Sequence, residues 1–167
     1  MTIRTTYIMA FAFITALLAT GFYLQYVEGY IPCPLCILQR FSFGALWILF
    51  LIGALTYSKR WLRIIIDFLC ILTSIAGIVF AGRQIYLQSF PSPDNTECGV
   101  SIQYMMQVLP ITEVMQKIFA GSAECTQRGW EFLFLTMAEW TLLWFIGFLI
   151  LSLCILAEEF NWTKPRR

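Results

Sequence analysis

Pro32-Cys33-Pro34-Leu35-Cys36-Ile37-Leu38-Gln39-Arg40, followed without a charge by FSFGALWILFLIGALTYS (residues 41–58), is the stretch on which the fold turns. Phe41 to Ser58, extended upward by Ile37, Leu38 and Gln39, is long enough to cross a hydrocarbon core of about 30 Å as a helix. Three other stretches have the same character. Between Arg4 and Glu28 lie 23 uncharged residues. A further run covers about 64–85, with Asp67 near one end, and a last one covers Trp140 to Ala157. In lipid the backbone must satisfy its own hydrogen bonds, so such runs are read as helices. The expectation is an all-α membrane four-helix bundle in one domain, 1–167, with spans at about 7–27, 37–58, 64–85 and 140–157.

Composition agrees. Of 167 residues, 59% are hydrophobic and 13% charged. Soluble domains carry about 25% charged residues, so lipid must replace water over most of the surface. The net charge of +1 gives no footprint for nucleic acid. The absence of histidine removes the commonest side-chain base and metal ligand. The first apolar run is long and lacks a clear small-x-small site, so it is read as a retained span and not as a cleaved signal peptide.

Lysine and arginine placement sets the orientation. Arg4, Lys59, Arg60, Arg63, Lys164, Arg166 and Arg167 all fall on one side of an even number of crossings. The other side holds Arg83, Lys117 and Arg128. Both termini are therefore expected in the cytoplasm, with outer loops at about 28–36 and 87–139. Cys33, Cys36, Cys98 and Cys125 then face the oxidising side, where disulfides persist. Cys70 and Cys154 fall inside helices and read as buried small hydrophobes. In the long loop, Ile111, Val114, Met115, Ile118 and Phe119 recur at helical spacing after Pro110. That marks a short helix lying on the membrane surface or against the bundle top.

Cys33-x-x-Cys36 can close a small disulfide ring and reopen it, and such motifs commonly contain a thiol of depressed pKa. The motif lies where the second helix begins, and a helix N-terminus favours a thiolate at Cys36. Arg40 is one turn further along the same face. It reads either as an electrostatic partner of Cys36 and an anchor for a cofactor, or as an arginine snorkelling to the headgroups. Cys98 and Cys125 form a second pair 27 positions apart. They read either as a structural staple or as an exposed, exchange-prone disulfide. They do not make the second half of a zinc site, so no metal is expected.

Cys33-Pro34-Leu35-Cys36 with Arg40, Phe90-Pro91-Ser92-Pro93 ahead of Cys98, Gly121-Ser122-Ala123-Glu124-Cys125 with Trp130, and Met137 with Trp140 together resemble the bacterial disulfide bond formation protein B (DsbB) family. The resemblance covers nearly the whole chain. It implies an inner-membrane oxidoreductase whose partner is a periplasmic DsbA-like thioredoxin-fold oxidase. It implies that Cys98 forms the mixed disulfide with that partner, and that Cys125 links to Cys33. Cys36 then passes electrons to ubiquinone or menaquinone as a thiolate in a charge-transfer adduct. Arg40 and Met137 match positions at the quinone. Well-known members carry a histidine where this chain has Gln84, and glutamine can hydrogen-bond a quinone carbonyl but supplies no titratable proton. Two rival readings are a four-helix structural protein with a stapled outer loop and a conduit carrying reductant outward. The first does not require Cys33-x-x-Cys36 with Arg40 at a helix mouth; the second lacks a cytoplasmic thiol pair.

Overall fold

The computed structural model describes residues 3–29, 32–56, 59–90 and 131–161, together with Pro110, Thr112 and Cys125. Four helices dominate: α1 (Ile3–Tyr26), α2 (Pro34–Leu55), α3 (Arg60–Ser89) and α4 (Met137–Asn161). Each is long and apolar enough to cross a membrane. The helices expected from hydropathy are present, and each begins earlier than its apolar run. Hydropathy sees where lipid ends, whereas a helix ends where its backbone can be capped. Cys33 caps α2, its sulfur accepting from the Cys36 amide, and Pro34 occupies the first turn, where its missing N–H does no harm. Helix α3 runs to Ser89, next to Phe90 and Pro91, where proline disfavours further helix. Its 30 residues span about 45 Å, more than a bilayer core, so its last turns rise beside the mouth of α2.

A two-stranded hairpin precedes α4, and the periodicity gave no sign of it. Strands β1 (Glu131–Phe132) and β2 (Leu135–Thr136) pair antiparallel, Glu131 opposite Thr136 and Phe132 opposite Leu135. Leu133 (φ 53°) and Phe134 (φ 66°) make the turn. Tight hairpins favour Asn-Gly or Asp-Gly at such positions, so the usual turn signal is missing. The Glu139 carboxylate accepts from the Thr136 amide (2.6 Å) and hydroxyl (3.0 Å), a capping-box arrangement that starts α4 at Met137.

Helix α2 packs on α1 and α3, and α3 packs on α4. Tyr7, Ile14, Leu46, Phe50 and Phe145 are fully enclosed, and the rings of Phe43 and Phe145 stack at 4.1 Å. At the end carrying Lys59, Arg63 grips Glu159 through two bonds of 2.6 and 3.0 Å, and the Tyr7 hydroxyl donates to buried Asp67 (2.7 Å). The outward faces carry Phe41, Ile48 and Leu55 on α2 and Ile146, Ile150 and Leu153 on α4, as a lipid-facing bundle requires. Cys70 is buried, as expected. Cys154 is not: it is exposed beside Leu153 on the outer face of α4, because its helical phase turns it away from the core. The amphipathic segment 111–119 lies outside the described residues apart from Thr112.

Candidate functional site

At the mouth of α2 the Cys33 and Cys36 sulfurs approach to 2.8 Å. The extended backbone at Cys33 (ψ 162°) turns its side chain over the first helical turn, where it meets the Cys36 amide at 3.3 Å. Cys125, fully buried, joins Cys33, Leu35 and Leu87 in one cluster, with Cys36 and Leu38 at its edge. Hydrogen bonding with Cys125, then with Cys36, together with burial, holds the Cys33 thiol well above its usual range. Two neighbouring sulfurs at the mouth of α2 and one from the segment ahead of the hairpin, far along the chain, thus share one apolar pocket. Cys98 and Trp130 lie outside the described residues.

Cys36 is the sulfur that also faces a cavity. About 350 Å³ in volume, the cavity opens between α1, α2 and α4. Its walls are largely apolar: Leu17, Leu18, Leu24, Phe43, Trp140 and Trp144. Arg40 and Gln39 enter from α2, Thr141 from α4 and Thr20 from α1, the last bonded to its own helix at the Ala16 carbonyl, and Met137 forms part of the α4 wall. The half-buried Arg40 guanidinium donates to the Gly21 carbonyl (2.9 Å) and to the Gln25 side chain, and lies 5.4 Å over the Phe22 ring. Its hydrogen bonds therefore tie α2 to α1, leaving it as a fixed cation on the cavity wall.

Besides Cys33, the side chain placed on the Cys36 sulfur is Gln84. Its Nε2 donates to Cys36 Sγ at 3.2 Å, and its Oε1 accepts from Gln39 Nε2 at 2.8 Å. Gln84 does not line the cavity, so it acts on the pocket through Cys36 and Gln39. Of the residues singled out in the sequence, Cys33, Cys36, Cys125, Arg40, Met137 and Gln84 thus fall around one helix mouth. Gln39 and Thr141 join them, though neither carries a motif. Hydropathy treats Gln39 as an uncharged extension of a span, and a buried amide in an apolar run is the available signal. Thr141 offered none, since threonine commonly bonds its own helix, as it does here to Ala138. The site can exchange disulfides among its sulfurs and can hold a flat, largely apolar molecule with oxygen acceptors beside Cys36.

Comparison with known proteins accords with this arrangement. The family described as "Disulfide bond formation protein DsbB" matches residues 3–155. Disulfide bond formation protein B of Hahella chejuensis is 39% identical over 148 residues, covering 89% of this chain and 90% of that one. The protein of the same name from Azoarcus sp. is 37% identical, with 92% of each chain covered. That of Marinobacter nauticus is 35% identical, with 96% of each covered. A four-helix membrane bundle with a cysteine cluster at one helix mouth, matched along nearly all its length, belongs to the disulfide bond formation protein B family.

Proposed function

We propose that this chain reoxidises a periplasmic, DsbA-like thioredoxin-fold oxidase by disulfide exchange and delivers the electrons to a membrane quinone, ubiquinone or menaquinone. It would do so from the bacterial inner membrane, with its reactive cysteines facing the periplasm. The carrying observation is the division of labour among three sulfurs: Cys125 packs against Cys33, while Cys36 opens onto the cavity that holds Arg40.

The exchange starts when a partner thiolate attacks Cys98 of the Cys98–Cys125 disulfide, and Cys125 leaves as a thiolate. Cys125 attacks Cys33, its neighbour, and the Cys33–Cys36 bond breaks with Cys36 departing as a thiolate. The partner's second thiol resolves its own mixed disulfide and frees Cys98. Cys98 attacks Cys125 and frees Cys33. The partner ends oxidised, the loop pair is restored, and Cys33 and Cys36 hold two electrons and the one proton that the partner's thiolate–thiol pair brought, with Cys36 as the thiolate. When bound, a quinone accepts both electrons. Full reduction of a quinone needs a second proton, which Gln84 cannot supply and which would come from water at the outer face as Cys33 and Cys36 re-form their disulfide. The raised Cys33 thiol keeps its proton and leaves the charge to Cys36. Arg40 supplies a donor and a fixed positive charge on the cavity wall, and the apolar walls exclude water. The cavity's size and its largely apolar lining with a few polar groups suit a quinone ring.

The test is turnover of purified protein in lipid nanodiscs with reduced partner oxidase, followed by quinone absorbance. Cys36→Ser and Cys98→Ser each abolish it. If both variants turn over at the unaltered rate, the relay is wrong.

A further inference from the structure

We propose that Gln39 and Thr141 are positioning residues that hold the Gln84 amide with its N–H toward the Cys36 sulfur. This rests on Cys36 being the reactive thiol of the function proposed above. Gln39 and Gln84 are 3% and 4% exposed, so neither amide can turn to water for its partners. An amide has an acceptor end and a donor end, and what binds one end decides where the other points. Gln39 Nε2 holds Gln84 Oε1 at 2.8 Å, which directs Gln84 Nε2 to Cys36 Sγ at 3.2 Å. Gln39 is itself held by Thr141, whose hydroxyl lies 2.8 Å from Gln39 Oε1. The chain thus runs Thr141 to Gln39 to Gln84 to Cys36, one residue each from α4, α2 and α3 and then the thiol; of the two Gln84 amide atoms Nε2 is the nearer to the sulfur, with Oε1 at 3.5 Å.

The end of the chain decides its direction. The Thr141 hydroxyl has one proton and a second acceptor, the Ala138 carbonyl, also at 2.8 Å. With the proton on Gln39 Oε1, the Gln39 amino group must face Gln84. With the proton on Ala138, nothing fixes the Gln39 amide, and it can invert. Inversion would turn Gln84 over as well and present its oxygen to the sulfur. An N–H on sulfur favours the thiolate, whereas an oxygen favours the thiol, so the chain governs how much Cys36 is ready to react.

Among the described residues, the ionisable groups about Cys36 are the Cys33 and Cys125 thiols, with Arg40 on the same cavity wall. Arg83 on α3 stacks over Tyr86, and Glu139 on α4 is engaged with Thr136. None of the three chain residues carries charge, so their effect on Cys36 comes through hydrogen-bond direction alone.

The test uses reduced, full-length protein in lipid nanodiscs with neither quinone nor partner. Alkylation of Cys36 by iodoacetamide is followed across pH by peptide-resolved mass spectrometry. Gln84→Met and Gln39→Met should each raise the pH midpoint of Cys36 by about one unit, seen as about tenfold slower alkylation below both midpoints. The double variant should move no further than Gln84→Met, because Gln39 acts only through Gln84. Thr141→Val should move it part of the way, and Thr141→Ser should restore it. A merely structural role would lower thermal stability and leave the midpoint where it was. An unmoved midpoint in Gln39→Met, or additive shifts in the double variant, overturns the proposal. Should Gln39→Met fail to assemble, the Thr141→Val and Thr141→Ser pair decides, equal midpoints in the two being the refuting result. Because no quinone is present, these outcomes are independent of quinone turnover.

Discussion

Arg40 lies one helical turn below Cys36, yet its hydrogen bonds go to Gly21 and Gln25 of α1, and Gln84 occupies the sulfur instead. Two jobs that spacing alone would give to the arginine are thus separated: a neutral amide on the thiol, a fixed cation on the cavity wall. The separation has a kinetic consequence. Charge-assisted hydrogen bonds contribute about 1.5–3 kcal/mol, and a tenfold change in affinity is about 1.4 kcal/mol. Arg40→Ala should therefore raise the apparent quinone KM about tenfold or more, while disulfide exchange with the partner oxidase proceeds as before. Quinone titration at saturating partner measures the first, and stopped-flow mixing without quinone measures the second. An unchanged KM would remove Arg40 from the proposed quinone site.

At the level of elements, the site depends on α3 and α4 lying close enough for Gln84 and Thr141 to meet Gln39 between them. Gly77 makes that approach possible: a Cβ there would come within 2.4 Å of the Phe145 ring, which itself stacks on Phe43. Gly82, on the same helix, would meet nothing within 4 Å. Overpacking a tight core costs about 1–3 kcal/mol, whereas alanine at an open helical glycine gains up to about 1 kcal/mol. Gly77→Ala should lower the thermal unfolding midpoint in detergent, and Gly82→Ala should leave it level or raise it. Equal midpoints would mean that the α3–α4 spacing is not set at Gly77. The start of α4 is a second local device. The Thr136–Glu139 cap and the Trp140 indole bond to the Phe132 carbonyl (3.0 Å) fix the hairpin to the helix, and so bring Phe132 and Met137 to the cavity wall.

For the whole molecule, the decisive property is which end faces out. Arg4, Lys59, Arg60 and Arg63 belong to the end carrying Lys59, while the cysteine cluster lies at the opposite end of α2. The exposed positions Glu131 and Lys59 allow a direct check. In intact spheroplasts an impermeant maleimide should label Glu131→Cys, and should reach Lys59→Cys only after permeabilisation. The reverse pattern would place the site in the cytosol, where the proposed partner is not. Number of spans, helical class and the cysteine motif were legible in the chain itself. Lipid imposes on composition a requirement so strong that 18 uncharged residues in a row leave few alternatives. The contacts among Cys33, Cys36 and Cys125 had to await the fold, as did the turning of Arg40 toward α1 and the amide chain through Gln39. Each depends on how helices distant in sequence are rotated against one another. That rotation is set by side-chain packing, such as the Gly77–Phe145 approach, and not by hydropathy, which records only that a face is apolar and not which neighbour it meets.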